Sequence, residues 1–459
     1  MSQLIEELKG KLDAPAMITG ADLQQRPGDM SGNLCRAEAI VRPKTTAEVA
    51  EILKLCNIHN HPVVTMGGLT GLAGGCATRP GDIGLSMERM TGIEEVDVKN
   101  HTMTVQAGVP LQSVQEAAAE VGLMFPVDLG ARGSATIGGN IATNAGGNRV
   151  LRFGMTRQLV LGIEAVLADG TVIKSLGKVL KDNSGYDLKQ LFIGSEGTLG
   201  VVTRAVLRLI PEPRSQNTAL VAVPDFESVI ALLHRAKYCL GSNLSGFELM
   251  WDSFFQLVMA HRDRHRPPFA DQYPFYVLIE TLGSDIDTDA ALFENALEDF
   301  YAAGLIADAV VAKSNTERDA LWAIREDVEA LISLYPMFLF DISLALDNMQ
   351  AYLADINDSL KRRWPESQCV VFGHLGDGNL HLVVAVGDGE PDTRTAVEEI
   401  VYGTLRDYSG VVSAEHGIGL EKKDYLSVTR SDAEIAMMKC LKRAMDPKNL
   451  LNPGKIFAL

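Results

Sequence analysis

At 459 residues, with 46% hydrophobic and 22% charged residues, the chain has the composition of a soluble globular protein of two or three domains. Its formal charge of −17 is spread along the chain and argues against a nucleic-acid partner, which would need a basic patch. No run approaches the roughly 18 apolar residues of a membrane span, and the N-terminus, MSQLIEELKGKL, lacks the apolar centre of a signal peptide. Six cysteines (Cys35, Cys56, Cys76, Cys239, Cys369, Cys440) fall in no metal-type spacing. The expectation is a reduced, cytoplasmic protein with no integral membrane segment.

Residues 1–30 read as an amphipathic helix over 5–12 and a loop. From 38 the pattern is strand, helix, strand: AIVRP, TTAEVAEILKLCNIHN, PVVTMGG. Thr45 or Thr46 can cap that helix, and Val49, Ile52, Leu53 and Cys56 give it one buried face. DIGLSME, IEEVDV and TMTVQAG then read as strands, and LQSVQEAAAEVG as a helix. Further strands are expected over 158–210, with an Asp-Gly turn at 169–170. A proline-punctuated stretch near 211–215 marks the main domain boundary. Beyond it, helices at 225–239, 288–303, 316–334, 348–362 and 394–408 alternate with apolar strands, the texture of an α+β domain. The last 30 residues, ending NLLNPGKIF, lack a core of their own.

Two kinds of stretch carry chemistry. Three glycine-rich tracts, MGGLTG (66–71), IGGNIATNAGG (137–147) and GSEGTLG (194–200), offer backbone N–H groups unobstructed by side chains, a cradle suited to a diphosphate. None matches the GxGxxG dinucleotide fingerprint. The second is FGHLGDGNLHL (372–382). An Asp377-Gly378 type I′ turn would set His374 opposite His381, with β-carbons roughly 5 Å apart on one ribbon face. Two such imidazoles can share a metal ion, and SAEHGIG (413–419) adds Glu415 and His416.

Taken together, GGLTG, PVDLGARGSATIGGNIATNAGG, RFG, GYDLKQLFIGSEGTLGVVT, GHLGDGNLH, AEHGIG and NPGKIF resemble the FAD-dependent D-2-hydroxy acid dehydrogenases of the vanillyl-alcohol oxidase type, from about 38 to 459 and in the same order. That family includes D-2-hydroxyglutarate dehydrogenase, D-lactate dehydrogenase and the glycolate oxidase flavin subunit. The resemblance implies an α+β protein: a two-part FAD-binding domain (1–213), an antiparallel-sheet substrate (cap) domain carrying the metal site (214–417), and a C-terminal segment (418–459) packing on the FAD domain. It further implies FAD contacts at Gly67, Gly68, Leu69, Thr70, Gly71, Pro126, Ser134, Gly138, Gly139, Ile141, Thr143, Gly147, Glu196, Gly197, Val202 and Asn452. Relatives with covalent flavin use a histidine in or beside the first glycine loop; 66–72 has none, so FAD is expected to be non-covalent.

A divalent cation on His374, His381 and Glu415 would acidify a substrate hydroxyl as a Lewis acid, zinc being favoured over manganese or iron. His416 is then the base, and Arg325 in LWAIRED the carboxylate clamp, with an exposed helix arginine paired to Glu329 as the alternative. His374 and His381 would also touch the substrate. Members of the family acting on D-2-hydroxyglutarate carry a small hydroxyl residue, a Lys and an Asn where this chain has Glu329, Leu339 and Val383. These departures favour a monocarboxylic, D-lactate-like or larger substrate. The alternatives are D-2-hydroxyglutarate and, from another class, a flavin-free metallohydrolase. Electrons would pass to an electron-transfer flavoprotein, a quinone or a cytochrome, and the family suggests a homodimer.

Overall fold

The computed structural model describes residues 3–30, 33–260 and 264–459. They form two compact units. One comprises the chain up to Gly147, Gly154–Glu212 and Glu415–Leu459; the other, Asn148–Phe153 and Pro213–Ala414.

In the first unit, Thr45 caps the helix Thr46–His59 by accepting the Glu48 N–H at 3.2 Å, and Asn60 ends it in the left-handed conformation. Val49, Ile52, Leu53 and Cys56 are all buried, as their spacing requires. The helix connects Ala39–Val41 to Val63–Met66, and both run parallel to Ile83–Ser86 between them. A second, antiparallel sheet has the order Ile93–Asp97, Thr102–Gln106, Val201–Arg208, Val160–Val166, Val172–Ser175.

The C-terminal stretch is stitched to the first sheet. Val63 donates to the Leu450 carbonyl at 2.7 Å, and Asn452 donates back to the Val63 carbonyl at 2.8 Å. A buried ion pair holds that stretch: Lys442 contacts Asp446 and donates to the carbonyls of Thr198 at 2.9 Å and Leu451 at 2.8 Å. Asp446 in turn accepts the Leu450 and Leu451 N–H groups.

The second unit is built on a seven-stranded antiparallel sheet in the order Asp308–Val311, Ser215–Val223, Phe275–Gly283, Leu244–Trp251, Gln368–Gly373, Asn379–Ala385, Met337–Ser343. Strand alternation puts Leu220, Tyr276, Leu278, Met250, Phe372 and Val383 on one face. There they pack with Phe254 and Val258 of the helix Asp252–Met259 and with Leu321 and Ile324 of Asn315–Glu326. Tyr402, on the helix Pro391–Leu405, meets Phe340 edge-on with centroids 5.3 Å apart.

The compact units and two local expectations differ from the sequence reading. The chain crosses between units at 212/213 and 414/415, and Asn148–Phe153 belongs with the second unit. Arg152 donates to the Leu282 carbonyl and Asn148 to Glu326, so polar anchors draw that segment to the seven-stranded sheet. The hairpin at 372–382 does not close by a two-residue type I′ turn either. Phe372, not His374, lies opposite His381, and a 3-10 turn over Leu375–Asp377 followed by Gly378 at φ +85° joins the strands. Leu375 is fully buried, and tucking that side chain inward lengthens the turn. Finally, the helix expected over 316–334 ends at Glu326 and continues as 3-10 turns over Val328–Leu334.

Replacing Asp446 with Ala would leave the Lys442 ammonium buried without its counter-ion. We expect a loss of about 3–5 kcal/mol of unfolding free energy, measured by denaturant titration, with only part of it recovered in the double variant Lys442→Met, Asp446→Leu, which still lacks the acceptor for the Leu450 and Leu451 N–H groups.

Candidate active site

The first unit contains a cleft of about 1000 Å³, the open solvent at its mouth included. All three glycine tracts reach it. Every expected FAD contact lines it except Pro126, Ser134, Ile141 and Gly147. Ile141 is fully buried in the core, and the Ser134 carbonyl lies beneath Gly68, where a β-carbon would come within 1.9 Å of it. Residue 68 must therefore be glycine. Leu69, Glu196 and Asn452, all lining the cleft, hold positive φ values of 57°, 50° and 43°. Each such residue carries a cost of ~1–2 kcal/mol, so the surrounding structure fixes these conformations against local preference.

The cleft fits FAD by its own chemistry. Thr65 Oγ1 and Asn140 Nδ2 both line it, and both are buried without a hydrogen-bond partner among the described residues. Such atoms call for a polar ligand. Asn140 is expected from sequence as a hydrogen-bond donor of the second tract; Thr65 is not among the expected contacts.

His416 also lines this cleft. A buried carboxylate places its loop: Glu196 accepts the N–H groups of Ile418 and Gly419, each at 2.7 Å. The Glu196 carbonyl accepts Asn452 Nδ2 at 2.6 Å. Burial pushes the Glu196 carboxyl above its ordinary range, against the pull of those two N–H groups. A β-carbon on Gly419 would lie 1.8 Å from the Ala73 carbonyl, so the loop closes only with glycine there. Glu415 Oε1 accepts the Gly147 N–H at 2.9 Å, joining the acid of the Glu-His pair to the end of the second tract.

In the second unit, the hairpin brings His374 and His381 together with ring centroids 5.3 Å apart and planes nearly perpendicular. A ring nitrogen of one lies within 4.8 Å of a ring nitrogen of the other. His374 Nδ1 is 2.9 Å from Glu248 Oε1 and 2.7 Å from Oε2. Asp341, fully buried, has a carboxylate oxygen 3.9 Å from His381 Nδ1 and is held by Asn379 Nδ2 at 2.8 Å. Each imidazole thus has a buried carboxylate near its Nδ1, in hydrogen-bond range for His374 and 3.9 Å away for His381, and carboxylates beside imidazoles recur around metal-binding histidines.

Arg325 is 5% exposed and pairs with Glu248, not with Glu329. Glu329 turns outward to Arg264 at 2.9 Å, because the helix has already ended. Arg325 Nη2 lies 2.8 Å from Glu248 Oε2, yet Nε and Nη2 make no aligned hydrogen bond, so this is an ion pair with donor capacity unspent. The guanidinium lies 4.9 Å from the Phe372 ring centroid, and Phe372 in turn lies 5.1 Å from His381. Burial raises the Glu248 carboxyl, and its neighbours His374 and Arg325 more than reverse that, leaving it lowered. An acid alone among the apolar residues of FELM was the signal for Glu248 in the sequence.

Residues 212–456 match the family of FAD linked oxidases, C-terminal domain, and residues 37–175 match an FAD binding domain. The chain belongs to the FAD-linked oxidases. It is an FAD-dependent oxidoreductase. It is 40% identical to D-2-hydroxyglutarate dehydrogenase of Xanthomonas citri pv. viticola, over 91% of this chain and 89% of that one. It is 41% identical to the mitochondrial D-2-hydroxyglutarate dehydrogenase of Bos taurus, over 92% and 77%. Among solved structures, substrate-bound p-cresol methylhydroxylase is similar with a TM-score of 0.79 at 15% identity, covering 99% of this chain and 96% of that one. Alkyldihydroxyacetonephosphate synthase gives 0.76 at 16%, covering 98% and 84%. These two show the fold alone. Among the described residues, no helix is long and apolar enough to cross a membrane.

Gly71 lines the cleft, and a β-carbon there meets nothing within 4 Å. Gly71→Ala should fold with an unchanged melting temperature in the flavin-free state but bind FAD at least tenfold more weakly, by titration of the apoprotein.

Proposed function

We propose that the protein oxidises a D-2-hydroxy acid to the 2-oxo acid, with FAD and a divalent cation as cofactors. The observation that carries this reading is the placement of His416 in the wall of the FAD cleft. Relatives at about 40% identity bearing the name D-2-hydroxyglutarate dehydrogenase support the substrate class. The flavin-free metallohydrolase is set aside by the FAD-linked family.

Bound FAD supplies a two-electron acceptor for the hydride of the α-carbon, and a bound cation supplies Lewis acidity at the hydroxyl. His416 takes the hydroxyl proton as the C–H bond breaks, leaving the 2-oxo acid. His374, His381 and Glu415 are the proposed cation ligands, Glu415 on the strength of the AEHGIG motif; imidazole and carboxylate donors suit zinc, with manganese and iron as alternatives. Arg325 receives the substrate carboxylate through its unspent donors. FAD is held without a covalent bond, since no histidine stands in the first glycine loop.

For the substrate side chain, Leu339 and Val383 face each other one step along the ladder from the Asp341–His381 pair and on the same sheet face. Neither can pair with a second carboxylate. Glu329 drops out of the argument because it points away to Arg264. An unpaired carboxylate there would cost about 2–3 kcal/mol, so we favour a monocarboxylic D-2-hydroxy acid, D-lactate-like or larger. The relatives' names favour D-2-hydroxyglutarate as the second reading. Electrons leave to an electron-transfer flavoprotein, quinone or cytochrome, and we propose a cytoplasmic homodimer.

A panel of D- and L-2-hydroxy acids with a dye acceptor tests the substrate. We expect kcat/KM for a D-monocarboxylate to exceed that for D-2-hydroxyglutarate by roughly 30-fold or more; the reverse order overturns the selectivity argument. His416→Asn should lower kcat by ~10²–10⁴-fold while FAD and zinc contents, measured by absorbance and elemental analysis, stay at wild-type levels.

A further inference from the structure

The cation reading above gives His374 and His381 a task but leaves the acid beneath them without one. Glu248 stands in the middle of the strand Leu244–Trp251 and is 1% exposed, on the same face as Met250 and Phe372. Two groups converge on it. His374 Nδ1 lies within 2.7 and 2.9 Å of its two oxygens, and Arg325 Nη2 lies 2.8 Å from Oε2. No helix cap or strand ladder needs a carboxylate here, and a residue buried in a strand flanked by Phe247 and Leu249 would ordinarily be apolar. A second buried acid on this face, Glu280, has a separate set of partners: Gln216 at 2.7 Å, Trp322 at 2.9 Å and Ser245 at 3.3 Å.

We infer that Glu248 is a positioning residue that holds His374 with its proton on Nδ1, so that Nε2 is the nitrogen presented to a divalent cation, and that it ties this imidazole to the Arg325 guanidinium. The inference rests on the cation reading but asks a different question: what orients the ligand. A carboxylate accepting Nδ1–H fixes the tautomer and raises the basicity of the opposite nitrogen. Its second oxygen orients Arg325 through charge, while the poor alignment of that pair leaves Nε and Nη2 able to donate elsewhere. One side chain thereby sets the direction of both groups.

The test is zinc titration of the metal-stripped, flavin-loaded enzyme against a chromophoric chelator. Glu248→Gln should bind zinc about 10–100-fold more weakly than wild type, with FAD content unchanged. Glu248→Asp, which keeps the charge but shortens the reach, should also lose at least threefold and serves if the Gln variant does not fold. Glu280→Gln removes the neighbouring buried carboxylate and should bind zinc as wild type does. Zinc affinity within twofold of wild type in Glu248→Gln or Glu248→Asp, or an equal loss in Glu280→Gln, overturns the inference. Failure of the wild-type enzyme itself to bind zinc, manganese or ferrous iron would instead overturn the cation reading together with this one.

Discussion

The FAD unit depends on one buried carboxylate. Glu196 stands in a tight, positive-φ turn of the third glycine tract and receives two N–H groups from the loop that carries His416, while its own carbonyl takes the amide of Asn452. Three segments separated by more than 200 residues in one case are thereby held at a single point. A buried acid is costly unless its oxygens are satisfied, and here the satisfying groups are the backbone of the Glu-His motif. The folding requirement and the placement of the candidate base are one interaction.

The second unit solves a parallel problem on a sheet. Its seven strands present an apolar face that helices cover, and the two acids on that face, Glu248 and Glu280, each have polar partners. Phe372 marks the border: it stacks on Phe254 at 4.3 Å and lies 4.9 Å from the Arg325 guanidinium. Beyond it stand His374, His381 and Asp341. The apolar core thus serves as a rigid floor for charged groups, which is how a site gains orientation without mobile loops.

Much of this was legible in the sequence. The helix Thr46–His59, with its Thr45 cap and buried stripe, follows from periodicity and cap chemistry alone. The glycine tracts announced a cradle, since only glycine permits the approach seen at residues 68 and 419. What escaped was set by tertiary context. The burial of Leu375 lengthened the His374 turn, and no local propensity reveals that. The early end of the helix after Glu326 turned Glu329 outward and reassigned Arg325 to Glu248, a partner 77 positions away. Long-range pairing of a buried charge is invisible to spacing rules.

The central claim is that a hydroxyl proton and an α-hydrogen leave one substrate under the joint control of a base and a bound cation. Anaerobic mixing with a D-2-hydroxy acid, followed by the visible flavin band, tests it most directly. The account predicts rapid bleaching by the D enantiomer in the zinc-loaded enzyme and bleaching slowed by a hundredfold or more, on the order of 3 kcal/mol in barrier, once the metal is stripped. Bleaching at an unchanged rate in the stripped enzyme, or none with any D-2-hydroxy acid, would contradict it.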